Sequence, residues 1–315
     1  MNGAGAAVPA RNAPVVTRPE INGADLRYRV ANLIGVLLPF AGLIAAIVLL
    51  WGVAFNWIYL AIMAVMYVLT AFGITIGYHR LFTHSSFRTP RPMVALFAIL
   101  GSMAVEGSLI RWAAVHRSHH QHSDHDEDPH SPHAHGAGFW SMMKGMWHAH
   151  MGWFLGAPNF ELSRYVPDLE KDPMLRWFAK TNLMWAGVGL LIPAALGGLL
   201  TMSWLGVLLG FIWGGLVRIF LVHHVTWSIN SVCHIWGSKS FRSHDESRNN
   251  ALFGILAMGE GWHNNHHAFP TSARHGLRWW QIDTSYMVIR AMGLVGLASD
   301  IRVPSRERQA EKALD

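Results

Sequence analysis

Charge is scarce in this sequence. Asp, Glu, Lys and Arg make up 14% of its 315 residues, against roughly 25% in soluble domains. Two stretches, Val30 to Tyr78 and Thr181 to Val217, contain none at all. Each is far longer than the roughly 20 residues that one membrane crossing needs, which excludes an ordinary soluble domain and predicts two helices per stretch. Cysteine is scarcer still. Cys233 is the single one, so an internal disulfide and a thiolate-rich metal site are excluded, and beside His234 it reads as a small packing residue. The sequence has no glycine-rich dinucleotide fingerprint and no phosphate-cradling loop, so any reducing equivalents must come from another protein. Its basic residues gather into no run or recognition motif, which argues against nucleic acid as a partner.

The charge-free stretches predict an all-α integral membrane protein with four transmembrane helices in two hairpins, near 31–52, 56–78, 183–201 and 204–224. The turns inside both hairpins lack Lys and Arg. The N-terminal arm, the loop from Arg80 to Lys180 and the segment from Arg218 onward carry all 25. By the positive-inside rule these segments share the cytoplasmic side, with both termini and every histidine cluster. A fifth apolar segment, Pro92 to Ile110, carries Glu106 and reads as an interfacial or re-entrant helix packed on protein. The expected organisation is an N-terminal mobile arm at 1–26, a membrane domain at 27–301 with a cytosolic helical cap at 79–180 and 225–301, and a charged C-terminal tail at 302–315, a solvated helix or a frayed end. The start Met is followed by small residues and Pro, without a signal peptide's apolar core. The net charge of +6 suits contact with anionic headgroups.

What the sequence has in abundance is histidine, 20 in all. Three clusters stand at the ends of the apolar stretches: His79-Arg80-Leu81-Phe82-Thr83-His84, His116-Arg117-Ser118-His119-His120 and His263-Asn264-Asn265-His266-His267. The second and third have i, i+3, i+4 spacing, which on a helix puts three imidazoles within reach of a common centre. The i, i+5 spacing of the first turns its rings apart on a straight helix, so His79 and His84 converge only if the chain bends. His234 is a ninth candidate, with Asn230 four residues before it, positioned to face the centre directly or through a water. Nine donors exceed what one ion accepts, so two metals are implied, and imidazole suits zinc, copper, iron or nickel alike. His133, His135, His148, His150, His244 and His275 read instead as solvated residues. Asp128 is the best carboxylate for an imidazole's far N–H, whereas Asp124, Asp126 and Glu127 read equally well as a solvated acidic loop.

Together these motifs, with Asp128-Pro129-His130 after the second cluster and Gly259-Glu260-Gly261-Trp262 leading into the third, resemble the membrane fatty acyl desaturases of the acyl-CoA Δ9 (stearoyl-CoA) type, in a bacterial-like form. The resemblance implies a stem of four helices and a cytosolic cap holding two irons on His79, His84, His116, His119, His120, His234, His263, His266 and His267, with Asn230 holding a metal-bound water. It implies a bent tunnel for an acyl chain, with Trp112, Thr226 and Trp227 at the bend and Glu106 where animal members have an amide. It further implies O2 as co-substrate, a separate ferredoxin or cytochrome/NAD(P)H reductase as electron donor, and a long-chain acyl-CoA or other acyl thioester as substrate, desaturated to a cis alkene. Two other readings stand beside it: a membrane di-iron hydroxylase of alkyl or carotenoid substrates, which yields an alcohol, and a metal transporter. Transporters place ionisable ligands within their spans, and the two charge-free stretches hold no Asp or Glu.

Overall fold

The computed structural model describes residues 23–52, 56–125, 127–136, 138–155 and 162–314. The arm at 1–26 lies outside them apart from its last residues, and so does Asp126. Among the described residues there is no strand, only helices and isolated β-bridges. Four helices are long and apolar enough to cross a membrane: α1 (Gly23–Gly52), α2 (Trp57–Thr83), and, beyond a run of shorter elements, Asn182–Thr201 and Trp204–His234. The shorter elements are α3 (Arg91–Met103), α4 (Leu109–His122), α5 (Phe139–Trp147) and α6 (Pro173–Lys180), which makes the third and fourth long helices α7 and α8. After α8 come α9 (Ala251–Leu256), α10 (His263–Ala268), α11 (Thr284–Leu294) and α12 (Arg306–Lys312).

Local chemistry sets the long helices' ends. The Asn56 side chain accepts from the Ile58 amide at 2.8 Å and starts α2; Ser203 does the same for Leu205 at 3.1 Å and starts α8. Left-handed Met202 (φ 48°) closes α7. The outward faces stay apolar, with Leu37, Val48, Leu191, Leu199 and Trp204 exposed. Two helices run further than the charge pattern predicts. α2 continues past Tyr78 to Thr83 and α8 past His224 to His234, because no breaker follows and His79 and His234 are buried on protein. From Gly73 to Thr83 α2 is a π-helix. Gly73 has no room for a Cβ against the backbone of Leu100 and Gly101, so α3 packs directly on this segment.

α3 stops at Ala104, and the chain turns through Val105 (φ 64°) and Gly107 (φ 91°) into α4. This break is clamped from α8. Buried Arg218 donates to the carbonyl of Met103 at 2.6 Å, and His223 Nε2 lies 3.0 Å from that of Ala104. The main core, with Tyr78, Phe82, Phe97, Leu109 and Ile289, fills the space between α2, α3, α4 and α11. The C-terminal segment, expected as a solvated helix or a frayed tail, forms the helix α12 with no buried residue, and its end is docked. The amide of Arg242 donates to Lys312 O (2.7 Å), that of Leu314 to Ser240 O (3.1 Å), and Lys312 Nζ to Ala268 O (2.7 Å). Its charges alternate along the chain, but its backbone finds partners beside α10.

Candidate metal centre and adjoining cavity

The π-helix resolves the odd spacing of the first histidine cluster. Its i→i+5 ladder, continued by the bond from the His84 amide to His79 O at 3.1 Å, places residues five apart on one side. The two rings lie 4.9 Å apart.

Nine histidines then assemble as two groups, His79, His84, His116, His120 and His266 in one, His119, His234, His263 and His267 in the other. Within each group the donor atoms lie within 4.8 Å of one another. Neither of the i, i+3, i+4 clusters serves a single centre, contrary to the expectation from spacing. In α4, His116 and His120 enter the first group and His119 the second; in α10, His263 and His267 enter the second and His266 the first. Neighbouring residues on a helix point roughly 100° apart, so the i+3 ring turns toward the other group. His120 and His267 stack at 4.3 Å where the groups meet.

Carboxylates stand behind four of the rings. Nδ1 of His79 lies 2.6 Å from Glu260, that of His119 3.0 Å from Asp128, that of His234 2.8 Å from Asp124, and that of His267 2.5 Å from Asp245. Burial alone would raise the pKa of Asp124, Asp128 and Asp245, but the facing imidazoles outweigh it and hold all three well below the usual carboxylate range. Glu260 is likewise held down, with Arg80 the largest opposing influence to its burial. Burial, and then neighbouring imidazoles, push His84, His116, His120, His263 and His266 well below the ordinary histidine value. They are neutral near pH 7, the form that binds metal.

With their Nδ1 atoms turned to carboxylates, His79 and His234 point Nε2 at His266 Nε2 and His263 Nε2, each at 3.0 Å. Nε2 of His84, His119 and His267 is buried with no hydrogen-bond partner. Converging, orphaned lone pairs in a setting without thiolates fit two cations that favour imidazole, with five donors around one and four around the other.

Comparison with known proteins agrees with this donor set. Residues 55–293 match the family described as fatty acid desaturase. The chain belongs to the fatty acid desaturase family. It is 40% identical over 280 residues to the hex-5-enoyl-[acyl-carrier protein] acetylenase of Moorena producens (strain JHB), covering 88% of this chain and 87% of that one. It is 40% identical over 263 residues to the sn-1 stearoyl-lipid 9-desaturase of Synechocystis sp. (strain ATCC 27184 / PCC 6803 / Kazusa), covering 82% and 76%. To the sn-1 stearoyl-lipid 9-desaturase of Anabaena variabilis it is 34% identical over 295 residues, covering 93% and 98%.

Beside the histidines this desaturase-family chain has a cavity of about 410 Å³ whose wall includes His79, His116 and His263 as well as Trp112, Thr226 and Trp227. Trp112 stacks on His116, with centroids 5.1 Å apart and planes 23° apart, and Trp227 stacks on His223 at 4.8 Å. Asn230 is also in the wall. The helix tightens to 3₁₀ geometry over Val232–His234, so Asn230 and His234 are not related by a regular α-helical turn. Glu106 lines the cavity too, accepting from Trp112 Nε1 at 3.0 Å. Burial raises its pKa to about 7, with the Trp112 indole and the Thr226 hydroxyl opposing the rise.

Some residues lie where sequence reasoning did not put them. His275, read as solvated, is 1% exposed and groups with His79 and Glu260; standing alone in the sequence, it carries no spacing signal. Asp124 is partly buried on His234 rather than solvated, whereas Glu127 is exposed and pairs with His122 at 3.3 Å. Asp245 had no signal beyond being an acid upstream of the third cluster. His150, also read as solvated, is half-buried against Ser231 and His224, at 3.0 Å from each. His244 is exposed as expected.

Proposed function

We propose that this chain is an O2-dependent desaturase of long acyl chains, held in the cytoplasmic membrane by α1, α2, α7 and α8, with both termini and the histidine site on the cytoplasmic face. The observation that carries the reading is the shared wall: His79, His116 and His263 line the same cavity as Trp112, Thr226 and Trp227, so a chain lying there passes directly beside the donors. The apolar outward faces of the long helices and the lack of Lys and Arg in their turns support membrane insertion.

Two irons, held by the five-histidine and the four-histidine group with Asn230 contributing through a water, would supply the oxidising power that an unactivated pair of methylenes demands. The balance is one O2, two electrons and two protons consumed for one cis alkene and two waters, with the electrons delivered by a separate donor protein. The chain's own residues do the rest. Trp112, Thr226 and Trp227 shape the bend that decides which carbon–carbon bond meets the donors, and the enclosed wall keeps water away. Asp128, Asp124, Asp245 and Glu260 keep protons on Nδ1 and so keep Nε2 of their partners aimed inward.

For the substrate we favour a saturated chain opened between C9 and C10 and carried on a glycerolipid, over the acyl-CoA that the sequence suggested. Coenzyme A brings several phosphate charges, and among the described residues Arg111 is the one Lys or Arg in the cavity wall. The two stearoyl-lipid 9-desaturases among the relatives support the same choice. The test is expression of the full chain in cells with a co-expressed ferredoxin system, followed by analysis of free, CoA-bound and lipid-bound acyl groups. A new cis monoene in the glycerolipids is expected; a new alcohol would establish the hydroxylase reading, and prior appearance of the alkene in acyl-CoA would overturn the carrier.

A further inference from the structure

Glu106 is an acid in the cavity wall at the aromatic stretch formed by Trp112 and Trp227. It sits in the turn between α3 and α4, where Val105 and Gly107 both take positive φ, and Arg218 and His223 pin that turn by its carbonyls. The carboxyl therefore has little freedom to swing away. Its Oε2 accepts from Trp112 Nε1, while Oε1 is shielded from solvent and meets no donor at hydrogen-bond geometry. The ionisable groups around the same space are Tyr67 and His79 from α2, Arg111 and His116 from α4, His130 from the loop after α4, His223 from α8, Glu260 just before α10 and His263 at its start. Burial is the largest influence on the carboxyl, and what opposes it comes from two neutral groups, the Trp112 indole and the Thr226 hydroxyl.

A chain seated at the bend would remove what water the cavity admits. A neutral carboxylic acid tolerates that contact; a carboxylate loses its hydration and gains nothing from methylenes. We propose that Glu106 is a proton-linked gate on the acyl substrate: the chain seats at the bend only against the neutral acid, and when the acid is ionised, seating takes up one proton. The balance is one carboxylate, one proton and one chain giving one neutral acid with the chain bound. The proposal rests on the acyl-chain reading of the cavity. It concerns substrate affinity and not the oxidation step, so its signature is in KM rather than kcat.

The free acid changes charge at about pH 7, which places the effect in an accessible range. The experiment uses membranes containing the full chain, excess reduced donor and vesicles of saturated phosphatidylcholine, with KM and kcat followed from about pH 6 to about pH 9. For the unaltered chain, KM should be level below about 7 and rise toward tenfold per pH unit above it, with a much smaller change in kcat. Glu106→Gln, which keeps the shape and removes the charge, should flatten the KM profile. Trp112→Phe removes the indole N–H that favours the charged form, and should move the rise to higher pH. A KM rise of the same size in Glu106→Gln, or a level profile in the unaltered chain, overturns the gate. If Glu106→Gln does not fold, a profile in Trp112→Phe that stays in place or moves to lower pH overturns it equally. Absence of any desaturation by the unaltered chain refutes the acyl reading instead.

Discussion

The guanidinium of Arg218 donates at 2.9 Å to the carbonyl of Gly189, the one that Pro193, four residues later in α7, leaves without an amide partner. The same side chain serves the end of α3 through Met103 and its own helix through Gly214. One cation thus repairs a proline defect and ties three helices together. Arg218→Met should strand these carbonyls at a cost on the order of 3 kcal/mol or more, seen as a lowered midpoint in detergent thermal unfolding. Arg218→Lys should recover part of the loss; an unchanged midpoint in the Met variant would show the clamp to be dispensable.

The two-group division gives separable losses. His116→Ala removes a donor from the five-histidine group and His119→Ala one from the other. Each should abolish desaturation and lower the iron content toward about one per chain, with membrane insertion retained. His135→Ala is the silent control. Full activity in both ligand variants would remove the metal assignment. Zinc, which has no redox chemistry, should fill the same nitrogens and give an inert protein.

Asp245 faces the proposed metal site only through His267. Asp245→Asn keeps the size of the side chain but gives up the charge that fixes the Nδ1 proton. Iron affinity should fall by about 10- to 100-fold, measured by competition with a chelator. A variant that holds iron as tightly as the original would show that Asp245 only packs.

The buried imidazoles also set how metal-free protein responds to acid. His116, His120, His263 and His266 titrate well below the ordinary histidine value when folded but near 6.5 when unfolded. Below about 6.5 the unfolded chain takes up protons that the folded one refuses, so stability should fall as pH drops through that point. Asp128 and Asp245 are shifted down, so their contribution is present above the ordinary carboxylate value of about 4 and is lost below it. The unfolding midpoint of iron-free protein should decline between about pH 7 and about pH 5.5, and a level midpoint there would contradict the buried, neutral state.

Trp227 lies in the cavity wall, against His223, His150 and Phe154. Shrinking it to Ala should relax discrimination among methylenes by about 1–3 kcal/mol. Mixed positional isomers, an altered chain-length preference or strongly reduced turnover are expected at unchanged iron content. An unaltered product profile at full rate would place Trp227 outside the substrate path.

Which parts of this arrangement were legible follows from how each is encoded. The long helices are written as missing charge, which survives without knowledge of contacts, so α1, α2, α7 and α8 were readable to within a few residues at most ends. The overrun of α2 was not, because a π-helix depends on the fit of Gly73 against α3. The histidines announced themselves by spacing, yet spacing alone could not divide His119 from His116 and His120, since that division depends on where α10 lies across from α4. Asp245 and His275 have no local pattern and become visible only when distant segments meet.

The interleaving of α4 and α10 has a consequence for biogenesis. Four of the first group's five histidines, His79, His84, His116 and His120, precede α7 in the chain, whereas three of the second group's four, His234, His263 and His267, follow it. A ribosome therefore completes most of one nest before the second pair of long helices is made, when the other has only His119. Iron delivered during synthesis would meet the His79 side first, and neither nest can close until α10 has emerged to give His266 to the first and His263 and His267 to the second.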